Sequence, residues 1–235
     1  MGELEHGSSW HASAILRWPE EIAHEQDKEA VAERAAGLVG EGQTIGIGSG
    51  SAAYLALWAI GERVERERLS VRVMTTSYET ETAATTLGLA IVPLGRAQPD
   101  WGIDGADEVD PAGRLLKGRG GAMFREKILW ASSRRMYLAV DPTKYVDRLG
   151  MHFPIPIEVD PGGVGLLERA LERHGAVGVE LRVAGGKDGP VITERGNLIA
   201  DAHFDEIPVG LHAELKAVPG VIETGLFEGY RYEAL

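Results

Sequence analysis

Cysteine is absent from the 235 residues, which excludes disulfides, thiolate nucleophiles and cysteine-ligated zinc, and fits a reducing compartment. Long apolar runs are absent too, since nothing approaches the roughly 20 residues that a bilayer-spanning helix needs. Met1 to Pro19 lacks a basic start followed by a hydrophobic block, so no secretory signal is expected. Basic residues are outnumbered, with Lys+Arg 24 against Asp+Glu 36 and a net charge of −12. That balance disfavours non-specific attraction to nucleic acid or to an anionic membrane. An anionic small molecule would need a local basic pocket. The 7 histidines are scattered without a ligand-like spacing, so no metal site is expected. The expectation is a soluble, cytoplasmic protein.

What is present organises itself around one stretch. Gly102-Ile103-Asp104-Gly105-Ala106-Asp107-Glu108-Val109-Asp110 is followed closely by Lys117-Gly118-Arg119-Gly120-Gly121-Ala122-Met123-Phe124-Arg125-Glu126-Lys127. Several acids in a turn, then a lysine, then glycines opening a helix, make poor core material. Gly118, Gly120 and Gly121 let backbone N–H groups approach a ligand, and a helix starting after Gly121 aims its positive end at the same place. Lys117 would add a cation there, and Glu126, near the helix start, would supply a proton acceptor. A base beside an anion-stabilising pocket suits proton abstraction next to a carbonyl. The competing reading of each run alone is a solvated acidic turn and a loop with an exposed basic pair.

Around this stretch the pattern is α/β. Asp27 to Val39 has helical spacing, and Thr44 to Gly48 reads as a buried strand. Ser49-Gly50-Ser51-Ala52 forms a turn into a helix at Tyr54 to Ile60, the arrangement in which N–H groups cradle a phosphate. It is neither a Walker loop nor a full dinucleotide fingerprint, so a small phosphorylated ligand fits better. Strands at Val71 to Met74 and Ala90 to Pro93 and helices at Thr80 to Leu87 and Phe124 to Ser132 alternate. The expectation is a parallel sheet with ligand groups beyond the carboxyl ends of its strands, which would gather Ser49, Ser77 and Asp104 on one rim. Lys144 follows the strand Met136 to Val140. At Phe153 to Val159 alternating Pro and Ile suit a linker entering an edge strand.

The expected organisation is therefore an extension over 1–25, read as a loose terminus ahead of the alternative that Trp10 and Trp18 dock on the body or on a partner, a Rossmann-like domain of 26–152 plus 218–235, and a smaller α+β domain of 153–217. Pro219 to Phe227 is expected to return to the main sheet.

The ordered set GIGSGSA, DGADEVDP, KGRGGAMFREK, VDPTKYVDRLG, PIPIEV, TERGNLIADAHF and PGVIETGLF resembles the type A ribose-5-phosphate isomerase family, from about His24 to the end. The resemblance implies a metal-free, cofactor-free aldose–ketose isomerisation between ribose 5-phosphate and ribulose 5-phosphate, in the non-oxidative pentose phosphate pathway, by a homodimer or homotetramer. By motif position it implies Glu126 as the base moving a proton between C2 and C1. It implies Lys117 and the amides of Gly118, Arg119, Gly120 and Gly121 as stabilisers of a cis-enediolate. Asp104 and Asp107 would contact sugar hydroxyls and assist ring opening, with Gly105 and Ala106 beside them. Ser49, Gly50, Ser51 and Ala52 match the substrate-binding turn, and Lys144 and Lys28 match lysines near the ligand. Two positions depart from the family pattern: the turn commonly reads GTGST, so Ala52 lacks a hydroxyl, and Arg119 stands where glycine is frequent. Alternative readings are a non-catalytic sugar-phosphate sensor, which the lack of a helix-turn-helix or basic stretch disfavours, and an isomerase of a different phosphosugar.

Overall fold

The computed structural model describes residues 25–186 and 188–235, so nearly all of the expected N-terminal extension, with Trp10 and Trp18, lies outside the described residues. Helix α1 (Glu25–Gly37) packs on a long α2 (Gly50–Glu67). Helix α2 begins at Gly50 and runs past Ile60. The charged residues that follow lie on its outer side while Ala53, Ala56, Leu57 and Ile60 are buried, a spacing that keeps one stripe apolar.

A six-stranded parallel sheet is built from β1 (Thr44–Ile47), β2 (Arg72–Thr75), β3 (Ala90–Ile91), β4 (Trp101–Asp104), β7 (Met136–Leu138) and β13 (Glu233–Ala234). Its order is β13-β7-β4-β1-β2-β3. Helices α3 (Tyr78–Thr86) and α4 (Met123–Ser132) connect its strands. Buried Ile45, Ile47, Val73 and Ile103 form the sheet's contribution to a core shared with α1 and α2. A short antiparallel ribbon, β5 (Glu108–Val109), β6 (Leu115–Leu116) and β12 (Leu226–Phe227), stands beside it.

A separate antiparallel sheet has the order β11-β8-β10-β9, from β8 (Ile155–Val159), β9 (Gly178–Leu181), β10 (Leu198–His203) and β11 (Val221–Thr224). Helices α5 (Val164–Arg173) and α6 (Leu211–Lys216) cover it, burying Leu167, Leu171, Leu211 and Leu215.

Two expectations change here. The segment after Pro219 does not simply return to the main sheet: β11 pairs with β8, β12 with β6, and β13 alone joins β7. Secondly, β8 is an interior strand despite its prolines. Pro156 accepts a hydrogen bond from the Gly225 N–H at 2.7 Å, so its nitrogen faces that side as well and the ladder to β10 loses no donor. Between β9 and β10 the chain forms isolated bridges, Val183 with Pro190 and Ile192 with Leu198. Among the described residues no helix is long and apolar enough to cross a membrane.

Candidate active site

The carboxyl ends of β1 and β4 deliver Ser49 and Asp104 to the same rim, next to the start of α4. Close approach is possible because residue 48 is glycine: a Cβ there would overlap the Asp104 carboxylate. Asp104 is 0% exposed. Its Oδ1 accepts the Gly105 N–H at 2.9 Å, and its Oδ2 accepts the Trp130 indole N–H at 2.8 Å. The Lys117 ammonium lies 3.0 Å from Asp104 Oδ2 and 3.3 Å from Glu126 Oε2, and donates to the Gly105 carbonyl. Glu126, 2% exposed in the first turn of α4, accepts the Ser49 hydroxyl on Oε1. Its Oε2 is buried and takes no hydrogen bond; the ammonium is its neighbour.

One ammonium is thus shared by two buried carboxylates. Burial, then repulsion from Glu126, pushes the Asp104 carboxyl up to about 7, against the pull of Lys117. For Lys117, burial works to lower the value, but attraction to Asp104 and Glu126 overrides it and holds the ammonium above its ordinary range. The asymmetry follows from the count, because the cation gains from both acids while Asp104 gains from one cation and loses to Glu126. Near neutrality the cluster can hold a proton on a carboxyl group without losing its cation.

Lys117 leads into a turn closed by the Gly121 N–H on the Gly118 carbonyl at 2.9 Å. Gly118 and Gly121 have φ of 107° and 76°, conformations that a side chain would strain. The Arg119 N–H donates to Asp107 Oδ2 at 3.1 Å, and Gly120 lies against Ser49, whose Oγ would be 3.6 Å from a Cβ at residue 120. Burial raises the Asp107 carboxyl, and Lys117 opposes the rise.

On the other side of the Ser49 turn, the Lys28 ammonium donates to Ser51 Oγ at 2.9 Å. Burial and then the nearby Lys144 ammonium lower its proton affinity, Asp141 opposes this, and Arg119 adds to it. Three cations therefore gather by the start of α2, a setting that favours a multiply charged anion. Lys144 also stands over the Phe153 ring at 5.7 Å.

The sequence candidates divide accordingly. Ser49, Asp104, Gly105, Lys117 and Glu126 converge directly. Asp107, Arg119 and the glycines at 118, 120 and 121 form the adjoining turn. Lys28, Ser51, Lys144 and Gly50, the first residue of α2, form the cationic side, and Ala52 faces Gly105. Asp104 is buried, and each of its oxygens accepts a hydrogen bond within the protein. Ala106 packs against the apolar cluster of Trp130 and Phe227. Sequence reading missed Trp130, whose indole anchors Asp104 from 26 residues away; a tryptophan on a helix face gives no sign of that partner. It also missed Gly225, where a Cβ would overlap the Lys117 carbonyl, and Glu108, which accepts the N–H groups of Gly150, His152 and Phe153. Among the described residues no three His, Asp or Glu side chains form a metal-binding cluster.

The sequence profile of ribose 5-phosphate isomerase A (phosphoriboisomerase A) matches residues 72–235. The ribose-5-phosphate isomerase A of Thermosynechococcus vestitus is 41% identical over 209 residues, 87% of this chain and 88% of that protein. That of Archaeoglobus fulgidus is 41% identical over 204 residues, 85% of this chain and 89% of its own. Among solved structures, ribose 5-phosphate isomerase A from Methanocaldococcus jannaschii superposes with a TM-score of 0.84 at 36% identity, covering 89% of this chain and 93% of that one. A D-ribose-5-phosphate isomerase in complex with phospho-erythronic acid gives 0.83 at 37%, covering 88% and 91%.

Proposed function

Since this chain belongs to the ribose 5-phosphate isomerase A family, we infer that it interconverts ribose 5-phosphate and ribulose 5-phosphate by moving one proton between C2 and C1 of the open-chain sugar. The observation that carries the assignment of roles is the setting of Glu126: a buried carboxylate with one oxygen on Ser49, the other without a hydrogen bond, and an ammonium 3.3 Å away.

In the aldose-to-ketose direction, Glu126 takes the C2 proton as the C1 carbonyl oxygen gains negative charge. Lys117 and the Gly120 amide neutralise that charge as it forms, which lowers the barrier because these donors are already in place. The same carboxyl group returns its proton to C1, and a proton moves from the C2 hydroxyl to the C1 oxygen, which completes the ketose. Asp104 acts through Lys117, holding the ammonium on the site with help from Trp130. Asp107 is the acid left for sugar hydroxyls and ring opening. Lys28, Ser51, Lys144 and the start of α2 take the phosphate. Phospho-erythronic acid, the ligand of the structural relative, carries a phosphate at one end and a carboxylate at the other, and so resembles the charge pattern of a phosphorylated enediolate.

Residues 26–152 carry this chemistry, and 153–217 with β11 form the companion unit. We read the protein as a cytoplasmic homodimer or homotetramer, on the family resemblance and the absence of cysteine; light scattering of the full chain tests the oligomer. The reaction is tested by incubating ribose 5-phosphate with the protein and EDTA in D2O. Ketose bearing deuterium at C1 is expected. No ketose, or ketose formed only when a divalent metal is restored, would sink the reading.

A further inference from the structure

The face of the antiparallel sheet nearest the catalytic turn carries an arginine that commits four of its five guanidinium N–H donors. Arg182 directly follows β9. Its own backbone is fixed on both sides, N–H to the Ile199 carbonyl at 2.9 Å and carbonyl to the Val191 N–H at 2.8 Å. Its Nε and Nη2 donate to the two oxygens of Asp201 at 2.8 and 2.5 Å, a bidentate fork that fixes the plane of the guanidinium. The remaining nitrogen, Nη1, donates to the carbonyls of Gly118 at 2.9 Å and Arg119 at 2.7 Å. These are the two consecutive carbonyls of the turn that follows Lys117.

A trans peptide points its N–H opposite to its C=O, and no cis peptide occurs among the described residues. Holding the Gly118 carbonyl therefore sends the Arg119 N–H the other way, where it meets the Asp107 carboxylate at 3.1 Å. Holding the Arg119 carbonyl sends the Gly120 N–H away from Arg182, and Gly120 is the residue that lies against Ser49. The plane between residues 118 and 119 is also held by the Gly121 N–H and by Asp107, but the plane between Arg119 and Gly120 has Arg182 as its anchor in a turn whose glycines sample φ of either sign. We propose that Arg182 is a positioning residue for the isomerisation: by clamping the carbonyls of Gly118 and Arg119 it keeps the Gly120 N–H aimed at the oxygen that becomes negative and the Arg119 N–H on Asp107. This rests on the function proposed above, and assigns to the companion sheet a part in the chemistry that its distance from Glu126 in sequence conceals.

The claim differs from simple docking of one sheet on the other in what it does to rates. Amides that meet the enediolate more strongly than the sugar contribute to kcat and leave KM nearly untouched. Arg182→Met keeps most of the stem and removes the donors; a kcat lower by about 10- to 100-fold is expected, with KM within about threefold. Inhibition by phospho-erythronic acid should weaken by about the same factor as kcat/KM. Arg182→Lys, with one compact ammonium, cannot hold both carbonyls and the Asp201 fork, and should fall between the two. Guanidinium ion added to folded Arg182→Ala should raise its kcat while leaving wild-type protein unaffected. Wild-type kcat in Arg182→Met would overturn the inference, as would equal losses in kcat and in ground-state affinity. If Arg182→Met does not fold, Arg182→Lys and the guanidinium rescue decide the matter, a Lys variant with wild-type kcat counting against it. Wild-type protein that forms no ketose would overturn the function and this inference together; active wild-type protein with an indifferent Arg182 overturns the inference alone.

Discussion

Glu126 and Lys127 are neighbours on α4, and both are buried, yet they enter two differently built ion-pair networks. Lys127 meets Glu223 at 2.9 Å, and Glu223 also accepts the Thr224 N–H at 2.9 Å and lies 3.3 Å from Lys216. Its acid is surrounded by donors, and it ties β11 to α4. Glu126 belongs to a cluster with two acids on one ammonium, and one of its oxygens takes no hydrogen bond. The Phe227 ring separates the two networks, with Lys117 at 5.4 Å and Lys127 at 4.9 Å from its centroid. Burial and ion pairing are common to both. What distinguishes the site is an excess of acid over cation, where the other network has two ammoniums on one acid, and acceptor capacity left for a molecule that is not part of the fold.

The strongest way to break this comparison is to neutralise each acid in turn. Glu126→Gln keeps the shape and the Ser49 contact but removes the base, and kcat should fall by about 10³-fold with KM changed little. Glu223→Gln removes a buried acid of equal size one network away, and kcat should stay within about twofold while the melting temperature drops. Steady-state kinetics on both variants checks this, and similar kcat losses in the two would erase the distinction.

A second test reads stability instead of rate. Lys127→Met leaves Glu223 short of its buried partner, and breaking such a pair by removing one member costs about 3 kcal/mol. Denaturant unfolding should register that loss with little change in kcat for the folded fraction. A variant as stable as wild type would mean that the Lys127–Glu223 pair is not a brace.

The third sharpens the charge argument through pH. Asp104 has a raised proton affinity in the folded protein, to about 7 against an ordinary 3.8, so the folded state binds more protons than the unfolded state in between. The stability this contributes is fully present below about 3.8 and is lost as the pH rises through about 7. Asp104→Asn mimics the protonated acid at every pH. Its melting temperature relative to wild type should therefore rise between pH 4 and pH 8, and a flat difference would show that the acid is ionised throughout.

How much of this was legible in the sequence follows the same division. Lys117 and Glu126 stood out because a lysine, glycines and a helix start within ten residues make sense only around a ligand. The parallel sheet was legible from strands alternating with helices. Partners contributed by distant elements were not: Trp130 for Asp104, Gly225 for the Lys117 backbone, and Arg182 for the turn carbonyls each lie in segments whose local pattern is already explained by a helix, a strand end or a hairpin. The fate of β11 was hidden for a related reason. A short apolar strand carries no mark of which sheet it joins, and the partner that fixes it, Glu223 on Lys127, lies 96 residues away.

The smallest expected effect concerns the position where this chain departs from its family's turn. Ala52 is the third residue of α2 and faces Gly105, 3.8 Å from where a Cβ on that glycine would stand. It lies between the cationic group of Lys28, Lys144 and Arg119 and the acid cluster. Ala52→Ser would add one hydroxyl to a place where the proposed ligand still has acceptors to offer, and one neutral hydrogen bond contributes about 1 kcal/mol. That corresponds to a KM lower by about fivefold. Because such a contact is made equally in the ground and transition states, kcat should not move. The same addition inside the Lys127–Glu223 network would find its acid already supplied with donors and would change stability alone. A KM that stays put in Ala52→Ser would mean that the side chain of residue 52 serves the packing against Gly105 and not the ligand, and that the phosphate is held by Ser51, Lys28 and Lys144 without it.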